Sequence, residues 1–317
     1  MFIYIPFAAY HSLSPIRGNL PILSELSLGT DDDFISDDEE ILDVFEITPE
    51  LRSVECVNLN PDRFKLPWDH IAKIPLMSVS VEDCIDILRR AVCLENGSFI
   101  YDVRGSRPPK PPSALYHPSL RELAVLIPRS SPEHERIDTR DVFKFLIAPN
   151  LRSLRIRNVR SPFGSELIAF LSKVNCLESL YLSQSNLSEE ELLQVLEMTP
   201  SLEHLTILSP DTFCPVTEYF FDELVSRKSR NNDPLAPKLE TIEVTIDSSI
   251  GWPFVQFLKS RCEVDEESCR ISLLQKVNVT IYGDPEEDIL FELETLTSAG
   301  MVIDVEYIVD DSHGDEE

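Results

Sequence analysis

The side chains that most often carry chemistry are scattered in this sequence. Six histidines, His11, His70, His117, His134, His204 and His313, stand far apart in a chain of 317 residues, and seven cysteines occur singly with no C-x-x-C pair. Neither set has the spacing of a zinc site or of a cysteine nucleophile with its base. No G-x-S-x-G, Walker loop, H-E-x-x-H or dinucleotide fingerprint appears, and nine glycines leave little for a phosphate-cradling loop. The sequence therefore predicts no enzyme, no cofactor and no metal centre, although a site assembled only in three dimensions stays open. The residues that could do binding chemistry are Arg155, Arg157, Tyr181, His204 and Glu243. Two arginines with a tyrosine can grip an acidic or phosphorylated group. Guanidinium forks match carboxylate and phosphate geometry, and such side chains dominate interface hot spots. The alternative is that they are ordinary solvated strand residues whose arginines are neutralised by acidic neighbours.

Those residues share a setting in a phrase that returns along the chain, L-x-x-L-x-L. Its instances are Leu23, Leu26, Leu28; Leu51, Val54, Cys56; Leu76, Val79, Val81; a weak one at Leu94, Gly97, Phe99; Leu120, Leu123, Val125; Leu151, Leu154, Ile156; Leu177, Leu180, Leu182; Leu202, Leu205, Ile207; Leu239, Ile242, Val244; and Leu274, Val277, Val279. The last two apolar positions, two residues apart, share one face of a short strand, and the first turns inward just before it. The residues between them then point the other way. They form columns of Ser153, Arg155 and Arg157, then Ser179, Tyr181 and Ser183, then His204, Thr206 and Leu208, with Glu243 next.

Segments with helical periodicity separate the phrases. The clearest is Ser188 to Met198, where Ser188 and Glu191 form a capping box ahead of Leu192, Leu193, Val195 and Leu196. Others are 81–91, 139–147, 165–173, 216–225, 252–261 and 286–298. Prolines at Pro49, Pro149, Pro200 and Pro237 precede strands and stop helices, because proline disfavours helical geometry in the residue before it. Phe2 to Ile5 reads as a further strand. The fold predicted is an α/β leucine-rich-repeat solenoid of about ten degenerate repeats, curved, with strands concave and helices convex. It would span residues 1–308, with an acidic insertion at 31–40 and a proline-rich loop at 105–113, and end in an acidic disordered tail at 309–317. An ordinary βα domain with leucine-bearing strands is the alternative.

Charge narrows the partners. With 56 acidic and 28 basic residues the net charge is −28, so phosphate backbones and anionic membranes are repelled and basic proteins attracted. A protein substrate on the concave face is expected, with no nucleic acid and no membrane. The apolar start, 1–10, lacks a basic n-region and is broken by Pro6, so it does not read as a signal peptide. Cys56 and Cys84 fall among apolar residues, as small buried hydrophobes do. A cytoplasmic or nuclear location follows, in which the sequons at Asn96, Asn186 and Asn278 carry no sugar. The run Asp31 to Glu40 lacks the glycine and register of a calcium loop, and R-P-P-K-P-P at Arg107 to Pro112 reads as a stiff linker.

The wording S-L-S-P-I-R-G-N-L-P-I-L-S-E-L-S-L at Ser12 to Leu28 resembles the repeat region of the F-box family of mushroom-forming fungi. So do T-P-E-L-R-S-V, A-P-N-L-R-S-L-R-I, T-P-S-L-E-H-L-T-I-L and A-P-K-L-E-T-I-E-V. The resemblance implies the substrate-recognition region of an F-box-type ubiquitin ligase adaptor. Ahead of Ser12 there is no L-P-x-E-I-L helix, so the F-box itself is not read in this chain, and the Skp adaptor would be a partner only if an F-box lies upstream. An orphan scaffold without a ligase link remains the other reading.

Overall fold

Period-two alternation converts each apolar phrase into a strand, and the computed structural model shows these strands side by side. It describes residues 1–30, 41–59, 61–101, 114–128, 140–159, 162–209, 215–229, 234–262 and 271–308. The expected acidic insertion 31–40, the proline-rich loop 105–113 and the tail 309–317 lie outside the described residues.

The chain divides into two compact units, Met1–Ser161 and Pro162–Glu317. The first contains β1 (Phe2–Tyr4), β2 (Glu25–Gly29), β3 (Ser53–Val57), β4 (Lys73–Val79), β5 (Asn96–Tyr101), β6 (Leu115–Tyr116), β7 (Glu122–Leu126), β8 (Leu146–Ile147) and β9 (Ser153–Arg157). β6 and β8 pair apart as a two-stranded sheet, and the other seven lie in chain order, every pair parallel. Among the described residues of this unit are the α-helices α1 (Val81–Arg90) and α2 (Arg140–Phe145). The second contains β10 (Ser179–Ser183), β11 (His204–Leu208), β12 (Thr241–Asp247), β13 (Lys276–Tyr282) and β14 (Val302–Ile308), again parallel and in chain order. Between them run α3 (Gly164–Leu171), α4 (Glu189–Met198), α5 (Glu218–Ser229), α6 (Gly251–Cys262) and α7 (Glu287–Ser298).

The solenoid expectation is corrected by this sheet. Among the described residues the main sheet is a single open one of twelve strands, all parallel. At that level the layout is an open α/β sheet, as in Rossmann-like and flavodoxin-like proteins, and not a leucine-rich-repeat solenoid of ten stacked units. The connections vary too much to be copies of one unit. They run from the 3₁₀ turn Trp68–His70 between β3 and β4 to the twelve-residue helix α5 between β11 and β12. The described strands follow chain order, so among them there is no reversal of the kind that opens a ligand crevice in doubly wound sheets.

Local signals explain the elements. Ser80 caps α1 by accepting from the Asp83 N–H at 3.1 Å, and the acidic first turn and basic last turn (Arg89, Arg90) complement the helix dipole. The Ser188–Glu191 capping box opens α4 as expected, with the Ser188 N–H donating to Glu191 Oε2 at 2.9 Å. Pro200 follows where α4 stops. The segment 139–147 is only partly helical: α2 ends at Phe145, and Leu146–Ile147 pair with Leu115–Tyr116 instead.

The third phrase needs correcting. Its buried positions are Ile71, Ile74, Met77 and Val79, whereas Leu76 is half-buried and Val81 begins α1. Pro75 lies within β4 and offers no N–H to the ladder, and the register shifts between Ile74 and Met77, where a bulge moves the apolar face by one residue. The weak fourth phrase is a true strand. Gly97 stands at its second position because a Cβ there would meet the Phe99 ring at 2.9 Å and Leu94 at 3.2 Å.

Three strands end in a left-handed corner, at Asn58 (φ 55°), Asn158 (φ 60°) and Gln184 (φ 50°). Asparagine tolerates that conformation better than most side chains. Asn158 also ties its corner back, donating from Nδ2 to the Ile127 carbonyl at 2.6 Å. In the second unit the helix layer is sealed by phenylalanines, with Phe221 centred 5.3 Å from Phe254 and 5.4 Å from Phe220.

Candidate functional site

The same alternation that buries one side of each strand leaves the other side wet. In β9, Leu154 and Ile156 are fully buried and Arg155 and Arg157 are exposed. In β10 and β11, Leu180, Leu182, Leu205 and Ile207 are buried, while Ser179, Tyr181 and Thr206 are half-buried and His204 is exposed. β12 repeats this with Ile242 and Val244 buried and Thr241 and Glu243 half-buried. All-parallel sheets are almost always covered on both faces and read as continuous apolar runs. Here one face is apolar and the other carries arginine, tyrosine, histidine and glutamate.

Register places these side chains in rows. In the second unit, Tyr181 is aligned with Thr206, Thr206 with Glu243, Glu243 with Asn278 and Asn278 with Asp304. Within this row the Thr206 hydroxyl donates to Glu243 Oε2 at 3.2 Å. His204 lies in the row two residues earlier, between Ser179 and Thr241. So the structure brings Tyr181 and Glu243 into one row and His204 into the next. Arg155 and Arg157 belong to the first unit, where they align with Ala124 and Leu126 of β7. One column member is displaced: Ser183, expected to face outward, is only 4% exposed. It is the last residue of β10, still aligned with Leu208, just before the left-handed Gln184.

Candidates for catalytic chemistry do not assemble among the described residues. Burial pushes the Cys56 and Cys84 thiols up to about 12, so neither yields the thiolate that nucleophilic or redox chemistry needs. Cys84 accepts a hydrogen bond from the Tyr101 hydroxyl at 3.3 Å, and both side chains are fully buried. His117 is buried with its Nε2–H donating to the Leu88 carbonyl at 3.1 Å, tying the end of α1 to the approach to β7. Burial pulls its pKa below the ordinary histidine value, which keeps it neutral. Among the described residues no group of three or more His, Cys, Asp or Glu could hold a metal ion. No helix among them is long and apolar enough to cross a membrane.

Sequence reasoning missed one feature of the first unit. The Tyr10 hydroxyl lies 2.9 Å from the Gly29 carbonyl of β2 and 3.2 Å from the Ile3 carbonyl of β1, and accepts from the Gly29 N–H at 3.1 Å, so it braces the short β1 edge against β2. Burial raises that phenol to about 12. Nothing local in the sequence marks Tyr10, since its partner lies 19 residues on. Compared with known proteins, the chain matches no family model and no curated protein.

Proposed function

We propose that this chain is a protein-interaction module that docks a partner protein along the polar face of its parallel strands. By the resemblance of its repeated phrases, it would serve as the substrate-recognition region of an F-box-type ubiquitin ligase adaptor, with the Skp adaptor joining only through an F-box upstream of Met1. The observation that carries the reading is the wet face itself. A parallel sheet with one face of arginine, tyrosine and histidine that no described element covers is an incomplete layer by the usual rule, and a partner is what would complete it. Arg155 and Arg157 would supply bidentate contacts to carboxylate or phosphate in the first unit. Tyr181, His204 and Glu243 would supply an aromatic anchor and polar contacts in the second.

Quantitative affinity capture tests this with two variants, Arg155→Ala with Arg157→Ala, and Tyr181→Ala with His204→Ala. Truncating hot-spot side chains costs about 2 kcal/mol or more each, so captured partner should fall at least tenfold for one variant or both. Both variants should keep the thermal midpoint of the original, because these side chains lie outside the core. Unchanged recovery of every partner by both folded variants would overturn the reading. Recovery of the Skp adaptor with residues 1–317 alone, independent of any upstream segment, would contradict the proposed route to the ligase.

A further inference from the structure

The two ends of the sheet are finished differently. The β1 edge is three residues long and is held by the Tyr10 clamp. The β14 edge is seven residues long and aligned with β13 at every position from Val302 to Ile308, and no strand pairs with its other side among the described residues. A long, regular edge presents a row of unused backbone donors and acceptors.

Backbone directions say which groups these are. The Val302 N–H donates to Gln275 at 3.1 Å and the Ile308 carbonyl accepts from the Gly283 N–H at 3.1 Å, so the even-numbered residues of β14 face β13. By strand alternation the peptide groups of Ile303, Val305 and Tyr307 face away from the sheet. The core under this strand is also unfinished. Ile303, Val305 and Tyr307 align with Val277, Val279 and Ile281, which are all buried, yet Ile303 and Val305 are only half-buried and Tyr307 is 45% exposed. On the opposite face Asp304 and Glu306 are exposed, and their register partners on β13, Asn278 and Thr280, are uncharged.

We propose that the β14 edge is a second docking site, one that adds an extended segment of a basic partner protein as a further strand. The segment is specified by what it must meet. Positions alongside Asp304 and Glu306 call for lysine or arginine, and the alternate positions call for valine or isoleucine to extend the layer of Ile303 and Val305. Two carboxylates facing two more in a paired copy would repel, which disfavours a second copy of this chain as the occupant. The site uses the edge backbone of β14 and shares with the polar face only the outer end of its row, at Asp304, so its test reads the edge N–H groups as well as the charge.

The probe is a seven-residue peptide of alternating lysine and valine, capped at both ends, titrated into the full chain by fluorescence anisotropy at physiological salt. The control is the same composition shuffled to two lysines, two valines, two lysines and a valine. The alternating peptide should bind saturably, and the shuffled one at least tenfold more weakly. The double variant Asp304→Lys with Glu306→Lys should weaken the alternating peptide by about tenfold, since two cross-strand pairs turn from attraction to repulsion. Val305→Pro removes an outward N–H and leaves the ladder to β13 intact, so it too should lose binding while circular dichroism stays unchanged. Should the proline variant unfold, the charge variant decides alone. Equal binding of both peptides, or binding unaffected by the charge reversal, overturns the proposal by reducing it to diffuse attraction to an acidic chain. A dimer that Val305→Pro dissociates also overturns it, by making a second copy the occupant.

Discussion

Arg261 is the only charged side chain among the buried residues described, and its removal has a calculable consequence. It is 3% exposed, with Nη2 donating to the Leu235 carbonyl at 2.9 Å, Nη1 to the Ala236 carbonyl at 3.3 Å, and its guanidinium 5.5 Å from the centre of the Phe257 ring. It thereby holds the turn that leads into β12, where Ala236 has a positive φ of 43°. Burial pulls the guanidinium down to about 10, so the folded state carries a desolvation penalty of roughly 3 kcal/mol for keeping it charged. Arg261→Met removes that penalty and fills similar space, but loses two hydrogen bonds from a charged donor, worth about 1.5 to 3 kcal/mol each. The Ala236 carbonyl still accepts from the Leu239 N–H at 3.1 Å, so the Leu235 carbonyl is the group left without this donor. Set against the penalty removed, the net loss should be about 0 to 3 kcal/mol. Arg261→Ala additionally strips about three buried methylenes, adding roughly 2 kcal/mol. Urea unfolding followed by tryptophan fluorescence measures both. If methionine proves as damaging as alanine, or neither shifts the midpoint, the clamp does not act as described.

Leu154→Asp should unfold or insolubilise the chain, because losing the leucine alone costs about 2 to 5 kcal/mol and a buried carboxylate adds to it. Arg157→Ala, one face over, should move the thermal midpoint hardly at all, and equal damage from the two would refute the alternating faces. His117 should make stability pH-dependent with a definite sign. Its folded pKa is depressed below the unfolded value near 6.5, so its contribution is complete above that value, declines as pH falls below it, and levels off below the folded pKa. Comparing urea midpoints at pH 7.5 and 5.5, His117→Leu should show a smaller drop than the original; an identical drop would refute the assignment.

Much of this could be read from the sequence wherever a local pattern decided the outcome. The apolar pairs at Leu154 and Ile156, Leu180 and Leu182, or Val277 and Val279 bury as their spacing demands, and the Ser188 capping box sets the start of α4. The periodicity did not reach the arrangement. A period-two phrase specifies a strand and its faces but not how many strands share a sheet, and the solenoid gave way to one open parallel sheet. Pro75 shifted its strand by a residue because a missing N–H acts on pairing, which no single-strand pattern records. The corner residues Asn58, Asn158 and Gln184 and the Tyr10 clamp depend on partners far away in sequence. For the candidate site, the outward positions of Arg155, Arg157, Tyr181, His204 and Glu243 were legible from alternation, and Ser183 was not, because its strand ends there in a turn.

Oxidative footprinting of the chain with and without a captured partner tests the central claim most directly, because Tyr181 and His204 lie on the polar strand face and Tyr219, on α5, is 52% exposed. The account predicts that bound partner protects Tyr181 and His204 and leaves Tyr219 as reactive as before. Protection of Tyr219 with Tyr181 and His204 unchanged would place the partner on the helices and contradict it.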